Sequence, residues 1–339
     1  MPNLRRIVAL VLSLLMLNGC AHYIGRKIVE PPDQHELLAL DPSVAEQLHG
    51  QLFSNTARLA MSDGVELQVY WMPPGVYPHR YQLSQNEERF NLRFSMSLSG
   101  GPPRNTARGT IVLLHGWKVD HQQLLLFAME LGNQGWNSVL VDLRGHGQSG
   151  GEHVTFGVRE SEDIASVLDW VREQPEFVEP LVVMGTSLGG SVGLMAAARR
   201  PVDAVVAVAP FADFGEILPN GLQVMAPGWM GPWLQPARIE RALVHAEQRA
   251  GIRMADAAPI LTASEIQAPV LLIHGKGDRF VPKAQSERLA DSLPNARLEL
   301  VDVSQHEVLL IDRDRLFDLA LPWLDEVAPA RPPVPENAN

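Results

Sequence analysis

Residues 181–191 read "LVVMGTSLGGS". An apolar run reaches Gly185, and Ser187 then stands at the centre of Gly185-Thr186-Ser187-Leu188-Gly189. A hydroxyl at the end of a wholly apolar strand needs a reason. The pattern G-x-S-x-G arises by chance in roughly one in ten chains of this length, so it decides nothing until its surroundings are read. Those surroundings are strand, tight turn and helix. "PLVVMG" has the unbroken apolar character of a strand buried on both faces, and "SLGGSVGLMAAARR" reads as a helix.

The same alternation extends outward on both sides. Upstream come the strand "TIVLLHG" (110–116), the helix "HQQLLLFAMELGNQG" and the strand "NSVLVDLRG". "RESEDIASVLDWVREQ" follows, a helix with Ile164, Val167, Leu168 and Val171 on one face. Downstream come strand "VDAVVAVAP", strand "APVLLIHG", helix "PKAQSERLADSL", strand "ARLELVDV" and helix "VLLIDRDRLFDLALPWLDEV". Apolar strands alternating with helices predict an α/β protein with a mostly parallel sheet covered on both faces. Chemistry in such sheets sits at the carboxyl ends of the strands, which is where Ser187 falls.

Two other segments are legible. "ARLAMSDGVELQVYWM" carries a hairpin signal at Asp63-Gly64. "RFNLRFSMSLS" alternates, with Phe90, Leu92, Phe94, Met96 and Leu98 on one side, which predicts one extra half-buried edge strand. Between Phe211 and about Ala258 the pattern leaves the sheet on the Ser187 edge. That stretch carries Met225, Trp229, Met230 and Trp233 and then a helical "IERALVHAEQRAGI". A small cap insertion over about 211–258 is the expectation.

The chain has 339 residues, 46% of them hydrophobic, and a formal charge of −11. That suffices for one large core, and an acidic chain without basic clusters is a poor partner for nucleic acid. The single cysteine, Cys20, rules out a disulfide within the chain and a cysteine-built metal cage. No histidine pair has metal-ligand spacing, and no cofactor is implied.

Arg5 and Arg6 precede an apolar stretch from Ile7 to Leu17, broken only by Ser13. Eleven residues suit the core of a secretory signal and fall short of the ~20 that span a bilayer. Leu17, Gly19 and Cys20 then resemble the lipobox of bacterial lipoproteins, although Asn18 departs from it. The resemblance implies a signal peptide over 1–19, lipidation of Cys20 and a membrane-anchored place in the bacterial cell envelope, facing the periplasm or the outside. Residues 20–54 read as a tether and the Pro-rich 328–339 as a loose tail.

From about Asn55 to Val327 the chain resembles an α/β-hydrolase. It is most similar to the serine-aminopeptidase-like and monoglyceride-lipase-like branch. "LLHGW", "DLRGHGQSGG", "GTSLGG", "PVLLIHGKGDRFVP" and "SQHEVLL" carry the resemblance, in that order. It implies a 55–327 hydrolase domain with Ser187 as nucleophile, an acid and then a histidine along the chain. His306 is the only histidine after Asp278 and stands just past a late strand. Asp278 occupies the family's acid position; Asp213, after the preceding strand, is the alternative. The oxyanion hole falls to the backbone N–H groups of Leu188 and, from the HGW loop, Trp117. Asp142, Arg144, Gly145, His146 and Gly147 match a loop beside the site and read as scaffolding. His115 and His274 read as loop-shaping residues, and His121 and His146 as surface ones.

The expected activity is hydrolysis of small-molecule carboxylic esters through an acyl-enzyme. The alternatives are a peptidase with the same triad and a non-catalytic ligand-binding lipoprotein. The sequence leaves the oligomeric state open.

Overall fold

The computed structural model describes residues 21–32, 46, 49–85, 90–96, 107–225, 234–306, 309 and 312–329. Cys20, the apolar run before it, Trp229, Met230, Trp233 and the 330–339 part of the tail lie outside the described residues.

The first described helix, α1 (residues 21–29), departs from a loose tether. Ala21, Ile24, Ile28 and Val29 are buried, and their i, i+3, i+4 spacing places them on one helix face. The strands that follow are β1 (Asn55–Ala60) and β2 (Glu66–Met72), joined by the predicted hairpin with Gly64 at φ 84°. Next come β3 (His79–Gln85) and β4 (Phe90–Met96). They pair with each other in a separate two-stranded sheet. The alternating segment is therefore half of a ribbon and not an edge strand of the main sheet.

The Rossmann-like alternation then runs as read: β5 (Thr110–Leu114), α2 (Leu125–Asn133), β6 (Asn137–Val141), α3 (Glu160–Arg172), β7 (Leu181–Thr186), α4 (Leu188–Arg199) and β8 (Ala204–Val208). The excursion contributes α5 (Phe214–Met225) and α6 (Pro236–Ala250). The chain returns through β9 (Val270–Gly275), α7 (Ala284–Ser292), β10 (Ala296–Val301) and α8 (Arg313–Val327).

The main sheet has the order β1-β2-β6-β5-β7-β8-β9-β10. The pairs β1–β2 and β2–β6 are antiparallel and every other neighbour pair is parallel. Successive strand residues point to opposite faces, so the apolar strands feed two cores at once. Val112, Leu114, Val139 and Val183 pack with α1, α3, α4 and α6. Ile111, Leu113, Leu140 and Met184 pack with α2 and α8. The order reverses at β5, with β6 on one side and β7 on the other, and a crevice at such a reversal is where ligands bind.

Helix α1 sits on α6 at Gly25. A Cβ there would lie 2.4 Å from the Ala242 carbonyl oxygen and 2.8 Å from His245 Cβ, so only a residue without a side chain lets the backbones meet. The rings of His22 and His245 touch edge-on at 5.2 Å. Val29 O accepts the Val154 N–H at 2.8 Å, which ties the far end of α1 to the loop after β6.

Candidate active site

Ser187 sits between the last residue of β7 and the first of α4, with φ 50° and ψ −114°. This is a strained conformation for a residue with a side chain, and the surroundings hold it. Its N–H donates to Val208 O of the adjacent strand at 2.7 Å. Glycines flank it because the backbones approach too closely for anything else. A Cβ on Gly185 would lie 2.3 Å from the Gly189 backbone, and one on Gly189 would lie 2.2 Å from Leu114 O. Turn and helix are thereby clamped between β7 and β5.

The structure brings the three side chains expected at the site together. His306 Nε2 is 2.9 Å from Ser187 Oγ, and His306 Nδ1 is 2.6 Å from Asp278 Oδ2. Ser187 is 6% exposed, Asp278 7% and His306 7%. Asp278 Oδ1 accepts the N–H groups of Phe280 and Val281, each at 2.9 Å. Burial pushes the Asp278 carboxyl up, but the imidazoles of His274 and His306 and the Val281 amide take it down to about 2. It is an acceptor at neutral pH and fixes the Nδ1–H tautomer of His306. That leaves Nε2 as the lone pair facing the serine hydroxyl.

Asp213 is not brought to His306. Its carboxylate accepts the Glu216 N–H at 3.2 Å and its own N–H donates to Gln285. It starts α5.

The loop after β5 lies against the nucleophile. A Cβ on Gly116 would be 3.8 Å from Ser187 Cβ. Leu188 opens α4, so its N–H belongs to the first turn, whose amides have no intrahelical acceptor. Trp117 follows Gly116, and its N–H has no hydrogen-bond partner among the described residues. Among the described residues no group of three or more His, Cys, Asp or Glu is placed to hold a metal.

Asp142, fully buried, holds the neighbouring loop. It accepts from the backbone and Nδ1 of His121, from Tyr70 Oη and from the Gln148 N–H. Burial pushes it up, but His121, His115 and the Gln148 amide together take it down to about 2. Arg144 forks onto Asp163 at 2.8 and 2.7 Å and reaches Asp63 at 2.6 Å. Gly147, with φ 52°, passes over Asp142 so closely that a Cβ would fall 2.3 Å from the carboxylate. The scaffolding reading fits this geometry. The surface reading of His121 and His146 does not: both are buried within hydrogen-bond networks.

Two partly exposed rings, Trp117 and Phe280, adjoin the site, with Phe156 and Phe214 buried behind Trp117. Phe156 stacks on Phe214 at 3.7 Å, and Trp117 meets Phe156 edge-on at 5.5 Å. Phe280 lies 5.1 Å from the His306 ring, and Gly221 of α5 rests on Phe280. Sequence reading missed Phe156 and Phe280. Phe156 has φ 53°, which nothing in its sequence neighbourhood signals.

Residues 105–251 match the model of the serine aminopeptidase (S33) hydrolase family. The protein YqkD of Bacillus subtilis is 30% identical over 185 residues, which cover 53% of this chain and 58% of that protein. The chain thus spans just over half of that relative. A monoacylglycerol lipase of Mycolicibacterium smegmatis is 25% identical over 260 residues, 66% of this chain and 90% of the lipase. An esterase of Pyrococcus furiosus superposes with a TM-score of 0.60 at 18% identity, covering 88% of this chain and 98% of the esterase. The sheet order, the serine at the strand–turn–helix and these likenesses converge on the α/β-hydrolase fold.

Proposed function

We propose that the protein is a serine hydrolase that cleaves carboxylic esters. The observation that carries this reading is the continuous hydrogen-bond chain Ser187–His306–Asp278 at the carboxyl edge of the sheet. Ser187 Oγ attacks the ester carbonyl while His306 Nε2 takes its proton. The carbonyl oxygen becomes an oxyanion held by the N–H groups of Leu188 and Trp117. Collapse expels the alcohol, which leaves with the proton from His306. A water, deprotonated by the same nitrogen, then cleaves the acyl-serine and restores the enzyme. Asp278 stabilises the imidazolium in both halves.

Ester is favoured over peptide by what happens to Glu216. It is the only acid between Asp213 and Glu240, and a peptidase reading a free amino terminus needs a carboxylate for the ammonium. Glu216 is already engaged by Arg288 and by Gln285 Nε2. The wall of partly exposed Trp117 and Phe280, backed by buried Phe156 and Phe214, suits an acyl or alkyl group instead. The names of two similar proteins, a lipase and an esterase, point the same way. The peptidase reading keeps the support of the family model's name.

Two measurements separate these readings. Over a p-nitrophenyl ester series, kcat/KM is expected to rise up to roughly fourfold per added methylene until the wall is filled, from ~0.8 kcal/mol per buried methylene. Aminoacyl-p-nitroanilides are expected to be poor substrates. Efficient anilide cleavage with negligible ester turnover reverses the assignment, and a Ser187 that a fluorophosphonate probe leaves unlabelled favours a non-catalytic binding protein.

For localisation we infer attachment to the bacterial cell envelope through acylated Cys20. The sequence motif supports this. Two or more acyl chains anchor stably where one does not. Mass spectrometry of the native protein is expected to find a mature chain beginning at diacylated Cys20; an unmodified Cys20 or cleavage elsewhere rejects it.

A further inference from the structure

A carbonyl and the amide that follows it belong to one planar unit and point in opposite directions. Whatever holds Gly116 C=O therefore decides where the Trp117 N–H points. His115 holds it. The ring is fully buried, and each nitrogen has a fixed task. Nε2 accepts the Leu143 N–H at 2.9 Å. The proton of the neutral ring is then on Nδ1, and Nδ1–H donates to Gly116 O at 2.7 Å. The Gly116 N–H is held separately, by Gln123 Oε1 at 3.0 Å.

The other side of Trp117 is held too. Lys118 has φ 64°, a conformation that a residue with a side chain keeps only when its surroundings impose it. Its N–H faces His146 Nε2 at 3.4 Å, and His146 Nδ1–H donates to Arg144 O at 2.9 Å. The two imidazole rings meet edge-on at 5.0 Å. Burial lowers both to about 4, with His146 lowering His115 further and Asp142 opposing. At neutral pH both rings keep the lone pair that each arrangement needs.

We propose that His115 is a positioning residue for the oxyanion hole: its Nδ1–H fixes the Gly116–Trp117 peptide so that the Trp117 N–H faces Ser187, with His146 securing the next residue. This rests on the serine-hydrolase reading above. It also assigns a task to a histidine whose sequence position suggests only loop shaping.

The test uses the full chain with His115→Leu, which removes donor and acceptor, and His115→Asn, which retains an N–H near the Nδ1 position. Removing one oxyanion donor costs about 10²- to 10³-fold in kcat, and a misdirected donor is expected to cost His115→Leu about 10- to 100-fold with KM within roughly threefold. His115→Asn is expected to recover part of that loss. An aryl-alkyl trifluoromethyl ketone, which Ser187 converts to a tetrahedral oxyanion, should weaken as an inhibitor in proportion to kcat/KM. The corresponding methyl ketone, which stays planar, should bind as to wild type.

The proposal is overturned if His115→Leu melts as wild type and keeps kcat within threefold, or if both ketones weaken equally. If His115→Leu does not fold, the ketone pair on His115→Asn decides by the same criterion. A wild-type protein that neither labels with fluorophosphonate nor turns over esters would remove the serine-hydrolase reading itself and this proposal with it. A wild type that labels beside variants of unchanged kcat removes the proposal alone.

Discussion

Ser187→Ala and His306→Ala are each expected to lower kcat by roughly 10⁴- to 10⁶-fold, and the double variant to be hardly slower than the worse single one. The reason is that the hydroxyl and the imidazole form one proton path, joined at 2.9 Å. A serine without its base is a poor nucleophile at neutral pH, and the base without its serine has nothing to activate. Ester hydrolysis by the three variants, with thermal melts to show that they fold, checks this. Losses that multiply would mean that the two residues act independently. Asp278→Asn is expected to fall between, at about 10²- to 10⁴-fold. Phe280 and Val281 hold Oδ1 in place, so the new amide nitrogen faces His306 Nδ1 and drives the proton to Nε2, where it blocks the serine. Asp213→Asn is expected to stay near wild type.

Gly189→Ala is expected to be the most destructive single-methyl change in the molecule's centre. The added carbon would meet Leu114 O at 2.2 Å, Leu114 C at 2.5 Å and His115 O at 2.6 Å. All three atoms are backbone at the end of a central strand, so no side-chain rotation relieves the overlap. A loss of more than ~3 kcal/mol follows from forced backbone movement in a packed core, seen as a melting temperature lower by about 10 °C or as failure to fold. Gly50→Ala is the control. Nothing lies within 4 Å of its Cβ position, its backbone is helical, and alanine there should be neutral or stabilising by up to ~1 kcal/mol. Equal melting of the two variants would contradict this account of the strand–turn–helix clamp.

The strands were readable because their burial is extreme. In β5, β6, β7, β8 and β9 every residue is buried, so continuous apolar runs bounded by glycine suffice to place them. Ser187 and Asp278 were readable because each follows such a strand, and His306 because it is the only histidine after Asp278 and stands just past half-buried β10. Contacts between distant segments were not. Helix α1 carries its apolar residues at helical spacing, but it is short and contains Gly25, which reads as a breaker until α6 is seen against it. The task of His115 depends on a tautomer set by the Leu143 amide, 28 residues away, which no local pattern encodes. The engagement of Glu216 by Arg288 spans 72 residues. Pairing of β4 with β3, rather than with the main sheet, depends on which edge is within reach, and alternation alone does not specify a partner.

The seat of α1 on α6 has a mechanical consequence. A flap can swing only about an axis that is free to turn. Here one side of the excursion is riveted: Gly25 admits no gap against Ala242, and Val29 carries the same helix on to Val154. Lifting α6 would have to draw out a wedge more than two hundred residues upstream in the chain and break its strap to the loop after β6. The α5 side is tied elsewhere: Phe214 stacks on Phe156, Glu216 is engaged by Arg288 and Gln285, and Gly221 rests on Phe280. Removing α1 would therefore uncover the α6 face at Ala242 and Ala246 and leave the excursion without its inner support.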